Sequence, residues 1–409
     1  MNFAIIITIS VLLLLAYAFT ISSAKTKIPS VILLLLLGWV VKRVTDALHL
    51  VIPDLNSLLP LFGTVGLVLI VLEGSLELEL NKKKLPFVGK TLVTAIIPLL
   101  ITAFVIAYFF YYFLDATFKA GLVNAVPLCI ISSAIAISSV GHLNSFNKEF
   151  AIYESSLSDI LGVLFFNFVA LNSVINLDTL GNFGLQILLM LLISFIASAF
   201  LAFLLSRIDH HIKFAPIVLL IILIFAISEI YHLPALIFIM LFGLFIGNFD
   251  ELERFKAIQF LKPRLLDKEV KKFKELIVEA AFLVRSLFFL LFGFLMKTED
   301  ILNPHTLELA IGIVVLIYLV RAIQLKVFKV KLMPLLYIAP RGLITILLFL
   351  SIPTESKIPL VNKALIIQVI VLTALIMMFG LIFNKQEDKG ESAGKKDDEN
   401  LTIDIDVPI

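Results

Sequence analysis

The stretch Tyr153-Glu-Ser-Ser-Leu-Ser-Asp159 sets two carboxylates and three serines inside an otherwise apolar run. On a helix, Ser155 and Asp159 lie four residues apart and share a face, and Glu154 and Ser158 share the neighbouring one. The first stripe offers a carboxylate and a hydroxyl to an ion, and the second aims Glu154 at a buried cation. A carboxylate in a partly wet, low-dielectric site is biased toward protonation, while a desolvated monovalent cation beside it favours the ionised form. Proton and cation therefore compete for one group. Oxygens of Ser155, Ser158 and backbone carbonyls would replace the ion's water, so the only metal expected is a monovalent cation at Asp159. The alternative is that both acids merely pair with arginines and hold the bundle together.

A charge at the centre of a membrane helix costs about 2.5–3.5 kcal/mol on insertion scales, so each needs a partner, a cavity or a function. Away from span ends, the candidates are Glu73, Glu154, Asp159, Glu279, Arg285, Arg321 and Arg341. Glu73 and Glu279 fall close enough to span ends to snorkel or to form structural pairs. Asp159 lies about nine residues into its span, which at 1.5 Å per residue is roughly 14 Å deep. Two further segments are interrupted. Pro127 is followed by Ser132, Ser133, Ser138 and Ser139, and Pro334 by Ala339-Pro-Arg341-Gly342. Proline and glycine break the helical ladder and leave backbone groups free for a ligand.

The elements that must position these residues are membrane helices. Of the 409 residues 60% are hydrophobic and 16% charged, with mean hydropathy +1.08. Lipid is the solvent such a composition requires. Spanning backbone must satisfy its own hydrogen bonds, and the apolar runs do not alternate, which excludes a barrel and leaves an all-α polytopic bundle. The expected spans are approximately 3–22, 28–41, 57–77, 88–113, 119–140, 150–172, 183–206, 212–229, 233–249, 275–296, 306–325, 332–351 and 362–384, about thirteen in all. The charged connection 250–274 is read as a helix lying at the interface. Lysine and arginine concentrate on alternate loops, placing the N-terminus outside and the C-terminus in the cytoplasm. Residues 1–384 form the transmembrane domain and 385–409, polar and acidic, a flexible cytoplasmic tail. The start of the chain lacks a basic signal region and is read as a retained span.

The single Cys129 lies in an apolar span and the six histidines fall in or beside polar connections. No nucleophile–base or metal constellation reaches membrane depth, so an enzyme is not expected, nor a cofactor, nor a nucleic-acid partner.

If spans one to six and eight to thirteen are inverted repeats joined by span seven, the two interrupted segments occupy corresponding positions. Paired broken, crossing helices are where inverted-repeat transporters bind substrate. With that pattern in place, Glu154-Ser-Ser-Leu-Ser-Asp159 resembles the ESLLND signature of the monovalent cation/proton antiporter superfamily. Leu319-Val-Arg321-Ala resembles that family's basic segment, Ala339-Pro-Arg341-Gly-Leu343 its LRG segment, and Phe62 to Gly74 its third-span pattern. The resemblance implies Asp159 as the ion and proton carboxylate with Ser155 as a nearby ligand, and Glu154–Arg321 as a structural core ion pair. It also implies an inner-membrane homodimer. The sequence departs from the pattern at Ser158, where asparagine or aspartate is usual, and at Ala134-Ile135-Ala136 in place of Thr-Asp-Pro. Ser132-Ser133-Ala134 is nearer to potassium-linked members, so sodium and potassium both stay open. Arginine at 321 in place of lysine suggests one titrating carboxylate and electroneutral exchange. A transporter of a small organic anion and a cation channel are the rival expectations.

Overall fold

The computed structural model describes residues 2–383 apart from 27, 50–54, 56–57, 79–83, 142, 173–176, 208–213, 232, 249–262 and 302. Among the described residues regular structure is entirely helical. In chain order the helices are α1 (Asn2–Thr26), α2 (Ser30–Ala47), α3 (Leu58–Glu77), α4 (Leu85–Phe113), α5 (Phe118–Cys129), α6 (Ser133–Ser139), α7 (Ser145–Leu171), α8 (Leu177–Arg207), α9 (Phe214–Ile230) and α10 (Ala235–Gly247). They continue with α11 (Pro263–Phe294), the short α12 (Thr298–Ile301), α13 (Pro304–Val327), α14 (Leu343–Leu350) and α15 (Lys363–Phe383). Among the described residues eight stretches are long and apolar enough to cross a bilayer, with α5 and α6 counted as one; α9, α10 and part of α1 are shorter apolar helices. Where described, the expected spans coincide with helix, except that 119–140 is interrupted at 130–132 and 332–351 is helical only in its second half, preceded by the single 3-10 turn Leu335–Tyr337.

The charged connection differs from expectation. Residues 249–262 lie outside the described residues, but 263–274 are not a separate interfacial element. They open α11, which runs unbroken for 32 residues through Phe294. The reason is packing: Phe273 is fully buried, with its ring 6.0 Å from that of Phe214 and 6.3 Å from that of Phe242. An anchored aromatic in the basic stretch keeps the helix in line with the bundle. The tail, 385–409, also lies outside the described residues.

Burial sorts the helices. The α5–α6 segment is the most enclosed, followed equally by α7 and α15, whereas α8 turns most of its surface outward. Leu188, Leu192, Phe195 and Ile196 on α8 are exposed, as befits helices whose outer solvent is lipid. Around the centre, α4 packs on α5, α7 and α13, and α3 is held between α10 and α11. The enclosed middle is where the polar residues of α7 meet the two interruptions.

Candidate ion-binding site

Two helices fail in the middle of the bundle, and their loose backbone groups determine the site. The first break, residues 130–132, separates α5 from α6; the second, residues 338–342, separates the Leu335–Tyr337 turn from α14. A break in the bilayer core exposes amides and carbonyls that need partners. Three consecutive amides of the first break find three different ones. Ile131 N donates to Ser158 Oγ of α7 at 3.0 Å. Ser132 N donates to the Pro340 carbonyl of the second break at 2.8 Å. Ser133 N donates to Asp159 Oδ2 of α7 at 3.2 Å, and the Ser133 hydroxyl donates to the same oxygen. The two breaks therefore cross in contact, with α7 behind them.

The carbonyls are matched by an arginine. Arg341, itself in the second break and 3% exposed, reaches across to the C-terminal end of α5. Its Nε donates to the Leu128 carbonyl at 2.8 Å and its Nη2 to that of Cys129 at 3.2 Å, while Nη1 donates to Ala339 O at 2.8 Å. A cation at a helix C-terminus and a carboxylate at an N-terminus both complement the local dipole. The crossing is close enough to require glycine. A Cβ at Gly342 would sit 2.6 Å from Ser132 Oγ and 3.0 Å from Ser132 Cβ.

Asp159 is 2% exposed and its carboxylate is used on one side only. Oδ2 holds Ser133, whereas Oδ1 is buried and finds no hydrogen-bond donor among the described residues. One turn earlier on α7, Glu154 is fully committed. Arg321 Nη2 of α13 lies 2.9 Å from Glu154 Oε2, and Gln324 Nε2, also of α13, donates to Glu154 Oε1 at 2.8 Å. Both charged partners are almost wholly buried. Gln324 also donates to the Thr94 carbonyl at 2.7 Å. That carbonyl is free because Pro98, four residues on in α4, has no N–H to give it. Arg321 Nε donates to Leu335 O at 2.8 Å and so caps the turn before the second break.

A family model described as sodium/hydrogen exchanger, transmembrane, matches residues 9–384. The chain belongs to the sodium/hydrogen exchanger family. It is a multi-pass membrane transporter and not an enzyme. Among solved structures the exchanger is similar to the sodium proton antiporter MjNhaP1 from Methanocaldococcus jannaschii, at pH 8. The identity is 21% and the TM-score 0.69, over 93% of this chain and 100% of that one. A structure of the same antiporter from an electron-microscopy map aligns with 18% identity and TM-score 0.65, over 93% of this chain and 95% of the other. At such identities the likeness establishes the fold. None of the curated proteins matches.

The remaining candidate residues of the exchanger divide into those at the crossing and those turned inward on their own helices. Ser132, Ser133, Ser158 and Arg341 stand with Asp159 at the crossing. The Ser155 hydroxyl bonds the Ala151 carbonyl at 2.7 Å and that of Ile152 at 3.2 Å, and Ser138 bonds Ala134 and Ile135 in the same way. Each hydroxyl thus donates within its own helix and keeps its oxygen as an acceptor. Glu73 of α3 lies 3.8 Å from Arg285 of α11, and Glu279 is exposed on α11. Sequence reasoning misses Gln324, Thr94 and Thr373, whose hydroxyl accepts from Arg341 N at 3.1 Å. Gln324 carries a legible signal, standing three residues from Arg321 on the same helix face, and Pro98 marks the Thr94 carbonyl.

Proposed function

We propose that this exchanger trades a monovalent cation, sodium or potassium, for protons through the single carboxylate of Asp159. The observation that carries it is the divided carboxylate: Oδ2 is fixed by Ser133, while Oδ1, equally buried, has no donor. Oδ1 takes either a proton or a cation, and Ser133 holds the group in one orientation for both. Ser158, whose oxygen faces the same break, and Ser155 one turn earlier supply further oxygens, with carbonyls of the interruption completing the shell. Glu154, already bound to Arg321 and Gln324, holds the bundle together. One carboxylate exchanging one proton for one monovalent cation gives electroneutral exchange. The organic-anion alternative is less well supported, because the Arg341 nitrogens are already engaged by carbonyls.

Around this site we take residues 1–384 as the transporter domain, built of two inverted repeats, with 385–409 a cytoplasmic tail. The N-terminus is outside, the membrane is the cell's inner membrane, and the exchanger works as a homodimer. Dequenching of an internal pH dye in proteoliposomes tests the central claim. Raising the cation concentration favours the ionised carboxylate, so the pH of half-maximal exchange should move downward. Asp159→Asn keeps the shape and removes titration; the protein should insert normally and lose cation-dependent proton flux. Flux that persists in Asp159→Asn would show that another acid, Glu73 or Glu154, carries the proton. Flux of the cation without proton coupling in the wild type would mean a channel.

A further inference from the structure

Beside the ion pair the bundle holds a cavity of about 20 Å³ with both polar and apolar walls. Its walls include Thr94 and Thr102 of α4, Ser158 of α7, Arg321 and Gln324 of α13, and Arg341 of the second break. Three of these groups have hydrogen-bonding capacity that the protein leaves unused. Arg321 is 3% exposed; its Nε and Nη2 are taken by Leu335 and Glu154, and Nη1 is buried with no acceptor. Ser158 Oγ accepts from Ile131 N at 3.0 Å, and its own O–H has no protein acceptor among the described residues. The Thr102 hydroxyl is buried in the same wall.

A buried guanidinium nitrogen without an acceptor costs more than the entropy of fixing one water. A cavity needs roughly 10–15 Å³ to admit a water, which must then find two to four polar partners. This one meets both conditions. We propose that the cavity is a binding site for a single ordered water that accepts from Arg321 Nη1 and from the Ser158 hydroxyl and donates to the threonine side. The water joins the Glu154–Arg321 pair to the first break: it accepts from Arg321 and from the Ser158 hydroxyl, and Ser158 Oγ in turn accepts from the Ile131 amide. It leaves a lone pair of Ser158 free, so the site stands whether or not Ser158 also contacts a cation.

Ala95, in the cavity wall and buried, supplies the test. Ala95→Val and Ala95→Thr add nearly the same bulk and displace the water, but only threonine returns an oxygen to Arg321. If water completes the site, the valine variant has a lower Tm than wild type and the threonine variant recovers part of the loss. A dry cavity reverses the order, because valine then fills a void and raises Tm; that order overturns the proposal. Cryo-EM maps of the wild-type exchanger in lipid nanodiscs, prepared in sodium chloride and in sodium gluconate, give a second readout. One density peak within hydrogen-bond distance of Arg321 Nη1 in both salts is expected. A peak confined to chloride would make the ligand an anion, and absence of a peak in both would remove the site; either result refutes it.

Discussion

The two breaks meet at one hydrogen bond and are otherwise built from opposite parts. Around the first break the amides of Ile131 and Ser133 face α7, which presents the hydroxyl of Ser158 to one and the carboxylate of Asp159 to the other. At 338–342 no acid among the described residues bonds the amides at the start of α14. There Gly342 N reaches only the Thr345 hydroxyl at 3.4 Å, and Arg341 N the hydroxyl of Thr373. The carbonyls follow the same division, since Arg341 serves those of the first break and Arg321 that of Leu335 before the second. Symmetry of position is therefore not symmetry of chemistry. The first break is backed by the Asp159 carboxylate of α7, and the second supplies Arg341, whose guanidinium ties the crossing to the end of α5.

The comparison breaks most severely at the arginines. Arg321→Ala leaves Glu154 charged, buried and held by Gln324 alone, which costs about 3–5 kcal/mol; folded protein in the membrane should fall sharply. Arg341→Ala strands only neutral carbonyls, each worth about 1–3 kcal/mol before water enters to replace the guanidinium. Its loss of thermal stability in detergent should be the smaller of the two. An Arg341→Ala variant less stable than Arg321→Ala would mean that the crossing, not the ion pair, is the keystone.

Next in size is Gly342→Ala. The added methyl meets Ser132 and forces the breaks apart, so Tm should drop and exchange should slow together. The same change at Gly89 or Gly141, where an added Cβ meets nothing within 4 Å, serves as the control and should leave Tm near wild type. If all three alanine variants behave alike, close approach at 342 is not what joins the breaks.

The smallest effect is expected from Ser158→Ala. Ile131 N loses its acceptor, which water replaces in part, and exchange should remain measurable with a changed apparent cation affinity. Complete loss of exchange would raise Ser158 from supporting oxygen to an essential part of the site.

Much of the fold and of the site is legible in the residues themselves. The apolar runs announce the helices because each must cross a hydrocarbon core of known thickness, and Asp159 stands out because a charge at that depth is expensive. Pro127 and Pro334 mark the interruptions, since proline withholds an amide. Less visible are the start of α11, where the buried Phe273 anchors a stretch that its lysines make look interfacial, and the second broken span, whose first half is one 3-10 turn. The inward turn of Ser155 is also hidden, as periodicity gives a residue's face but not its rotamer.

Sequence by itself determined the solvent, the helices, the places where they fail and the acids and bases too deep to be accidental, because each follows from local composition and the cost of polarity in lipid. Only the tertiary structure decided the partners. Arg321 and Glu154 lie 167 positions apart, and Arg341 and Leu128 lie 213 apart. No local pattern distinguishes the arginine that faces a carboxylate from the one that faces carbonyls. That choice rests on which helix ends the packing brings together, and with it the fact that one oxygen of Asp159 is held by Ser133 while the other finds no donor among the described residues.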